Sequence, residues 1–265
     1  MLAALFWLSI GLLVYTHVGY PMLLWALSRT RASPVWRGVT PPPSVTLVVA
    51  AYNEGAVIAR KVENARSLDY PGVELIVASD GSTDDTAKIA REAGADVVLE
   101  LPRGGKIRAQ DAAVERARGE IVAFSDANSL WAPDALARLV APFADPRAGY
   151  VCGQVRFSND AGDNQEGLYW RYEMWIRAAE SRLAGVTGGN GAIYAVRRDA
   201  YINVDPRMGH DLSFPFNMVK RGWKAVYAPD ARAEEKMVPT IGGEFRRKRR
   251  MQSHMWPIVL QGGLA

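Results

Sequence analysis

The sequence predicts an α/β fold on a mostly parallel sheet, preceded by an apolar segment long enough to cross a membrane. Three observations carry this. No charged side chain occurs between Met1 and Ser28. From Val45 to Phe124, short β-branched runs alternate with helical stretches. Several of those runs end in small polar clusters, the pattern of strands whose carboxyl ends meet on one edge.

The N-terminal stretch is rich in Leu2, Leu5, Phe6, Leu8, Ile10, Leu12, Leu13 and Val14. A spanning helix needs about 20 such residues, and Trp7, Tyr15, Tyr20 and Trp25 suit the interfaces. A cleaved signal would carry basic residues ahead of the apolar run, and none precedes it. The expectation is a retained anchor over 1–28. Arg29, Arg31 and Arg37 follow it, so the positive-inside rule puts the remainder in the cytoplasm, at the cell inner membrane. His17 and Pro21 mark a kink or re-entrant turn. Residues 29–43, with Pro34, Pro41, Pro42 and Pro43, read as a basic, stiff linker.

Val45–Ala51 lacks alternation, so it reads as a strand buried on both faces. A helix over 56–67 follows, then a strand over 73–78 and a helix over 84–93, with Ser82 and Asp85 as a capping box. The next elements are a strand over 97–101, a helix over 107–117 and a strand over 121–124. Strand–helix alternation implies right-handed crossovers and a mostly parallel sheet. Beyond Leu130 the pattern loosens into helices over 133–143, 166–183 and 211–221 and strands over 150–155, 192–196 and 225–227. A basic helix begins near Ile241.

The chain has 265 residues, 49% hydrophobic and 23% charged, with a formal charge of +4. That suits one large domain with a preference for anionic partners. Cys152 is the only cysteine, so no intramolecular disulfide can form. Polar groups follow three predicted strands: Tyr52-Asn53-Glu54, Asp80-Gly81-Ser82 and Ser125-Asp126-Ala127-Asn128. Such residues also make ordinary turns, which explains one cluster better than three on the same edge. No G-x-G-x-x-G follows the first strand and no G-x-x-x-x-G-K-[ST] occurs, which disfavours dinucleotide and P-loop sites. Carboxylates repel a polyphosphate unless a divalent cation lies between them. Asp126 and Asn128, at i and i+2 on an extended segment, can offer oxygens to one hard metal, Mg²⁺ or Mn²⁺.

The strings VVAAYNE (48–54), ASDGSTDDT (78–86), GGK (104–106), FSDANS (124–129), TGGNGAIYAVRR (187–198), GHD (209–211) and FRRKRRM (245–251) stand in an order and spacing that resembles the family 2 inverting glycosyltransferases of membrane-anchored bacterial type. The resemblance implies a GT-A fold, a Rossmann-like mostly parallel sheet. It implies that Ala51, Tyr52 and Glu54 hold the nucleoside, that Asp80 recognises the base with Ser82 nearby, and that Lys106 contacts diphosphate or nucleoside. Asp126 and Asn128 stand at the D-x-D metal motif, Asn replacing the second Asp. Gly188, Gly189 and Asn190 match the loop beside donor sugar and acceptor; a plain tight turn is the rival reading. Asp211 matches the catalytic base, with a simple helix cap as its rival. His210 stands where an acid is usual, either as a bystander or, at low pH, as a cation lowering the basicity of Asp211. Arg247 and Arg250 fall on the Q-x-x-R-W motif, as a diphosphate clamp or as an interfacial helix on anionic lipid.

The expected organisation is an anchor (1–28), a linker (29–43), a catalytic domain (44–240) and a basic, interfacial helix (241–265). The catalytic domain divides into a donor-nucleotide half (44–130) and an acceptor half (131–240). The expected activity is metal-dependent inverting transfer from a nucleotide-diphosphate sugar, a UDP-sugar first, to a lipid-linked or saccharide hydroxyl at the membrane. An inactive nucleotide-sugar-binding scaffold is the second reading and a nucleotidyltransferase the third. Nucleic acid is disfavoured, because the basic run lacks interleaved aromatics.

Overall fold

The computed structural model describes residues 1–31, 36, 38, 40–158, 167–206, 208–236 and 249. Arg247, Arg250 and nearly all of the expected basic helix over 241–265 lie outside the described residues, as do several positions of the linker.

The apolar N-terminus forms one continuous helical rod: α1 (Leu2–Val14), a π-helical turn (Tyr15–Gly19) and α2 (Tyr20–Ser28). Its 27 residues correspond to about 40 Å at 1.5 Å per residue. Leu2, Leu5, Trp7, Leu12 and Val18 are exposed, whereas Pro21, Leu24 and Ser28 are buried. The last turns therefore dock on protein while the preceding turns do not. Pro21 has no N–H to return to the His17 carbonyl, and the Tyr172 hydroxyl donates to that oxygen at 3.3 Å. The two blemishes in the apolar run thus coincide with a π turn and a docking contact, not with a break.

The soluble part begins with β1 (Val45–Ala51), α3 (Ile58–Arg66), β2 (Glu74–Asp80), α4 (Thr86–Glu92), β3 (Val97–Leu101), α5 (Lys106–Val114) and β4 (Ile121–Asp126). It continues with β5 (Leu130–Trp131), α6 (Ala135–Val140), β6 (Ala148–Ser158), α7 (Leu168–Leu183), β7 (Ile193–Arg197), α8 (His210–Lys220) and β8 (Lys224–Lys236). The eight strands among the described residues form one sheet in the order β3-β2-β1-β4-β7-β6-β8-β5. β1 pairs in parallel with β2 and β4, and β2 with β3. β7 is antiparallel to β4 and β6, and β5 to β8, while β6 and β8 run parallel. The first half is the parallel sheet that the sequence predicts; the second half is mixed.

Both faces are covered, as continuous apolar strands require. Val45, Leu47 and Val49 of β1 point to a core shared with Ile58 and Val62 of α3 and with Leu136 and Leu139 of α6. Val48 points the other way, to Ala109 and Ala113 of α5, Met174 of α7 and Phe214 and Met218 of α8.

Three expectations change. Ser82 does not cap α4: its Oγ accepts from the Asn53 amide at 3.1 Å and from the Ser79 hydroxyl at 2.8 Å. β8 is 13 residues long where a short strand over 225–227 is expected. Its far half carries the charged alternation of an edge-facing ladder, with Ala231 and Ala233 buried and Arg232 and Glu234 outward. β5, only two residues long, is too short to leave a periodic signal.

Candidate active site

The rim is built first from the loops after β1 and β2. Asn53 adopts a left-handed conformation with φ 53°, a geometry that asparagine tolerates. Its Oδ1 accepts from the Thr83 amide at 2.8 Å. The Glu54 amide donates to Thr86 Oγ1 at 2.9 Å and the Gly55 amide to Asp84 Oδ2 at 3.0 Å. The two loops are thereby zipped together, with Ala51 buried below them and Tyr52 exposed. Burial, then the charges of Asp126 and Asp84, raise the pKa of Glu54 above the usual carboxylate value.

Asp80 closes β2 and is buried. Its carboxylate accepts from the Gly104 and Gly105 amides at 2.7 and 3.0 Å and pairs with Arg103. The Arg103 guanidinium lies 3.4 Å from the centre of the Tyr52 ring, a cation–π stack. Asp80 thus organises the 103–105 turn that launches α5, in addition to the base-recognition role implied by resemblance. Tyr52, Asp80 and Arg103 together make one wall of the rim.

Lys106 is the first residue of α5. A cation there opposes the helix dipole and needs a compensating partner. It has two: its ammonium pairs with Asp126 at the end of β4 and donates to the Gly191 carbonyl at 3.1 Å. Asp126 is half-buried and Asn128 exposed. Ala127 and Asn128 form a turn, closed by the Ser129 amide on the Asp126 carbonyl at 3.2 Å. The extended i, i+2 geometry expected for Asp126 and Asn128 is therefore replaced by a turn, because the chain must reverse toward β5.

On the other side stand Gly188, Gly189, Asn190 and Gly191, between α7 and β7. The Gly189 amide donates to the Asp211 carbonyl at 2.6 Å, and Asn190 Oδ1 accepts from the Ala192 amide at 3.1 Å. A β-carbon on Gly189 would overlap the hydroxyl of the fully buried Tyr150, so this close approach requires glycine. α8 begins at His210 with Gly209 as its N-cap, which puts Asp211 in the first turn and not at the cap position. A carboxylate there is favoured by the helix dipole. A β-carbon on Gly191 would lie 3.5 Å from the Lys106 ammonium and 4.0 Å from Cβ of Asp211. Asp126, Lys106, the glycine loop and Asp211 are therefore contiguous. Arg247 and Arg250 lie outside the described residues.

His210 is 3% exposed, and its Nδ1 is hydrogen-bonded to the Tyr194 hydroxyl at 2.7 Å. Its ring packs on Phe214 with 4.3 Å between centres. Burial, then the charge of Lys106, lowers its pKa to about 3. The side chain of His210 is turned into the core and packed there, which favours the bystander reading and confines a cationic form to low pH.

Lys61 escaped the sequence reading. It is fully buried, and its ammonium donates to the Ser129 carbonyl at 2.6 Å, 5.2 Å from the centre of the Trp131 ring. Burial lowers its pKa to about 7, against the opposing pull of Asp126 and Glu235. Asn64, one turn on, makes two 2.9 Å hydrogen bonds to the Trp131 backbone. The Trp131 indole donates to the Ala192 carbonyl at 3.2 Å. α3 thus clamps the segment after Asp126–Asn128, and Trp131 ties that segment to the glycine loop. A signal was available: Lys61 shares its helix face with Ile58, Val62 and Ala65, an uncommon place for a charge unless it is paired.

Comparison with known proteins agrees with this architecture. A mannosyltransferase from Pyrobaculum calidifontis, solved with GDP-Man and Mn²⁺, superposes with a TM-score of 0.75 at 26% identity, covering 93% of this chain and 74% of that one. GalNAc-T7, solved with UDP, GalNAc and Mn²⁺, matches with a TM-score of 0.59 at 17% identity over 74% of this chain and 44% of that one, a likeness of fold alone. Among curated relatives, an N-acetylglucosaminyltransferase of Rhizobium meliloti (strain 1021) is 28% identical over 72% of this chain and 50% of its own length. A poly-beta-1,6-N-acetyl-D-glucosamine synthase of Staphylococcus aureus (strain COL) is 25% identical over 77% of this chain and 52% of its own length. This chain spans about half the length of these curated relatives. The fold is GT-A. The profile of Glycosyl transferase family 2 matches residues 46–205, more than half of the chain, and the chain belongs to that family.

Proposed function

We propose that this protein moves a sugar, with inversion, from a UDP-sugar to a hydroxyl of a lipid-linked or saccharide acceptor at the membrane surface. One observation carries the reading: Asp126 and Asp211 flank the same Lys106–Gly191 junction. A diphosphate held at the first lies within one sugar's reach of the second. The relatives named for N-acetylglucosamine make UDP-N-acetylglucosamine the first donor to test.

In this reading the nucleoside lies against Tyr52, Arg103 and Asp80, with Ala51, Glu54 and Ser82 shaping the loop. Lys106 draws in the diphosphate. Gly188, Gly189 and Asn190 admit the donor sugar and acceptor to close approach, and the family resemblance assigns Arg247 and Arg250 to the diphosphate. Asp211 takes the proton from the acceptor hydroxyl as that oxygen attacks the anomeric carbon opposite the leaving diphosphate.

The donor set suits a hard cation. Asp126 and Asn128 offer only oxygens at the rim, and among the described residues no group of three or more His, Cys, Asp or Glu side chains could hold a metal. A cation there would draw its remaining ligands from diphosphate and water, the habit of Mg²⁺ and of comparable Mn²⁺ sites. Asp126 and Asn128 would hold it, and when bound it supplies charge neutralisation for the departing diphosphate. The rod over Leu2–Ser28 anchors the chain in the cell inner membrane, with Arg29 and Arg31 on the cytoplasmic side.

The test incubates the full chain in lipid nanodiscs with Mn²⁺ or Mg²⁺, a polyprenyl-linked or oligosaccharide acceptor, and separate UDP-N-acetylglucosamine, UDP-glucose and GDP-mannose. Release of UDP with a mass-shifted acceptor of inverted anomeric configuration is expected, and chelation abolishes it. Retention of configuration, or indifference to chelator, rejects the mechanism.

A further inference from the structure

The docked end of the apolar rod reaches the glycine loop through one buried carboxylate. The Tyr20 hydroxyl of α2 donates to Glu180 Oε1 of α7 at 2.6 Å. Glu180 is 7% exposed. Thr187, the residue before Gly188, donates its amide to Glu180 Oε2 at 3.2 Å and its hydroxyl to the same oxygen at 2.9 Å. Three donors from two other segments converge on this side chain. Two turns earlier on α7, the Tyr172 hydroxyl seats the rod at the His17 carbonyl, to which Pro21 has no N–H to return.

A buried carboxylate costs stability unless its acceptors are filled, and an apolar residue at this position of α7 would pack the fold more cheaply. A merely stabilising role would also be met by donors from α7 or its own core. Instead they come from the rod on one side and from the loop on the other. That loop contacts the chemistry directly, through Gly189 on Asp211 and Gly191 on Lys106.

We propose that Glu180 is a positioning residue that registers the glycine loop against the docked end of the apolar rod, so that use of the acceptor, and not binding of the donor, depends on Tyr20. The coupling rests on the glycosyl-transfer reading for its consequence, though not for its structure. It would make the enzyme competent toward a membrane-borne hydroxyl acceptor when the rod is seated.

The experiment uses the full chain in nanodiscs as wild type, Tyr20→Phe, Glu180→Gln and the double variant. Amide hydrogen exchange over 187–191 needs no turnover. It is expected to quicken about 3- to 10-fold in each single variant, the equivalent of one hydrogen bond, with no further gain in the double variant. Unchanged exchange, or additive effects, overturns the coupling. With UDP-N-acetylglucosamine and a polyprenyl-linked acceptor, kcat/KM for the acceptor falls by a similar factor, while the affinity for UDP stays within about 2-fold. Equal loss of UDP affinity and acceptor use, with a lowered Tm, identifies Glu180 as structural only and also overturns the proposal. Exchange that responds as expected in a wild type that turns over no donor rejects the transfer reading and leaves the coupling standing.

Discussion

The amide of Gly189 donates to the carbonyl of Asp211 at 2.6 Å, a bond made available by a proline four residues further on. In an α-helix the carbonyl of residue 211 would serve the N–H of residue 215. Pro215, inside α8, has none to give. The glycine loop is thus fastened to the backbone of the residue proposed as the catalytic base.

Pro215→Ala restores an intrahelical N–H that competes with Gly189 for the Asp211 carbonyl. Helical order favours alanine over proline, so Tm is expected to stay level or rise while transfer kcat falls several-fold. Donor affinity should hold. Paired thermal melts and steady-state kinetics check this, and undiminished kcat would show that the loop needs no such fastening.

Asp211→Asn keeps the shape of the first turn of α8 and removes the proposed base. Transfer is expected to drop by about 10²- to 10⁴-fold, the usual contribution of a positioned general base, with UDP binding intact. Product counting with labelled donor, alongside calorimetric UDP titration, makes the comparison. Normal turnover would remove Asp211 from the chemistry.

Lys61→Met tests the buried ammonium beneath the rim. The folded pKa of about 7 lies below the model-peptide value of 10.5, so between these pH values the unfolded chain binds the extra proton. Stability therefore rises with pH across that window and is lost as pH falls toward 7. The wild type should gain Tm from pH 7 to pH 10 relative to Lys61→Met, in which this slope is absent. Parallel pH slopes for the two proteins would place the lysine in contact with water.

His210→Phe keeps a ring beside Phe214. The folded pKa of His210, about 3, lies below its ordinary 6.5, so its contribution is whole above pH 6.5 and is lost as pH falls toward 3. Wild type should lose Tm more steeply than His210→Phe between pH 6.5 and pH 4. The two proteins should share the same acidic limb of the rate profile, because His210 carries no charge there. A limb that vanishes in the variant would favour the reading of His210 as a low-pH cation acting on Asp211.

The local elements were legible because each rests on short-range physics. β1 and β3 fall on the residues expected, and the helices of the soluble part agree to within about three residues at each end, the usual scatter of such boundaries. Continuous β-branched runs bounded by turn residues favour strands buried on two faces, and the polar clusters after parallel strands gather at one edge of the sheet. The second half was less legible. β8 alternates charged and small residues, which reads as loop until β6 and β5 are beside it.

What the sequence alone determined was the apolar rod, the parallel half of the sheet and the identities of the residues at its edge, since hydrophobic period and turn chemistry act over a few residues. Only the tertiary structure decided which of those groups meet. It set Lys106 between Asp126 and Gly191, turned His210 inward, buried Lys61 beneath Ser129 and joined Tyr20 to Thr187 through Glu180. Tyr20 and Glu180 stand 160 residues apart, and no local preference encodes such a contact. Burial does, because a carboxylate or ammonium taken out of water must find its partners wherever the packed fold brings them.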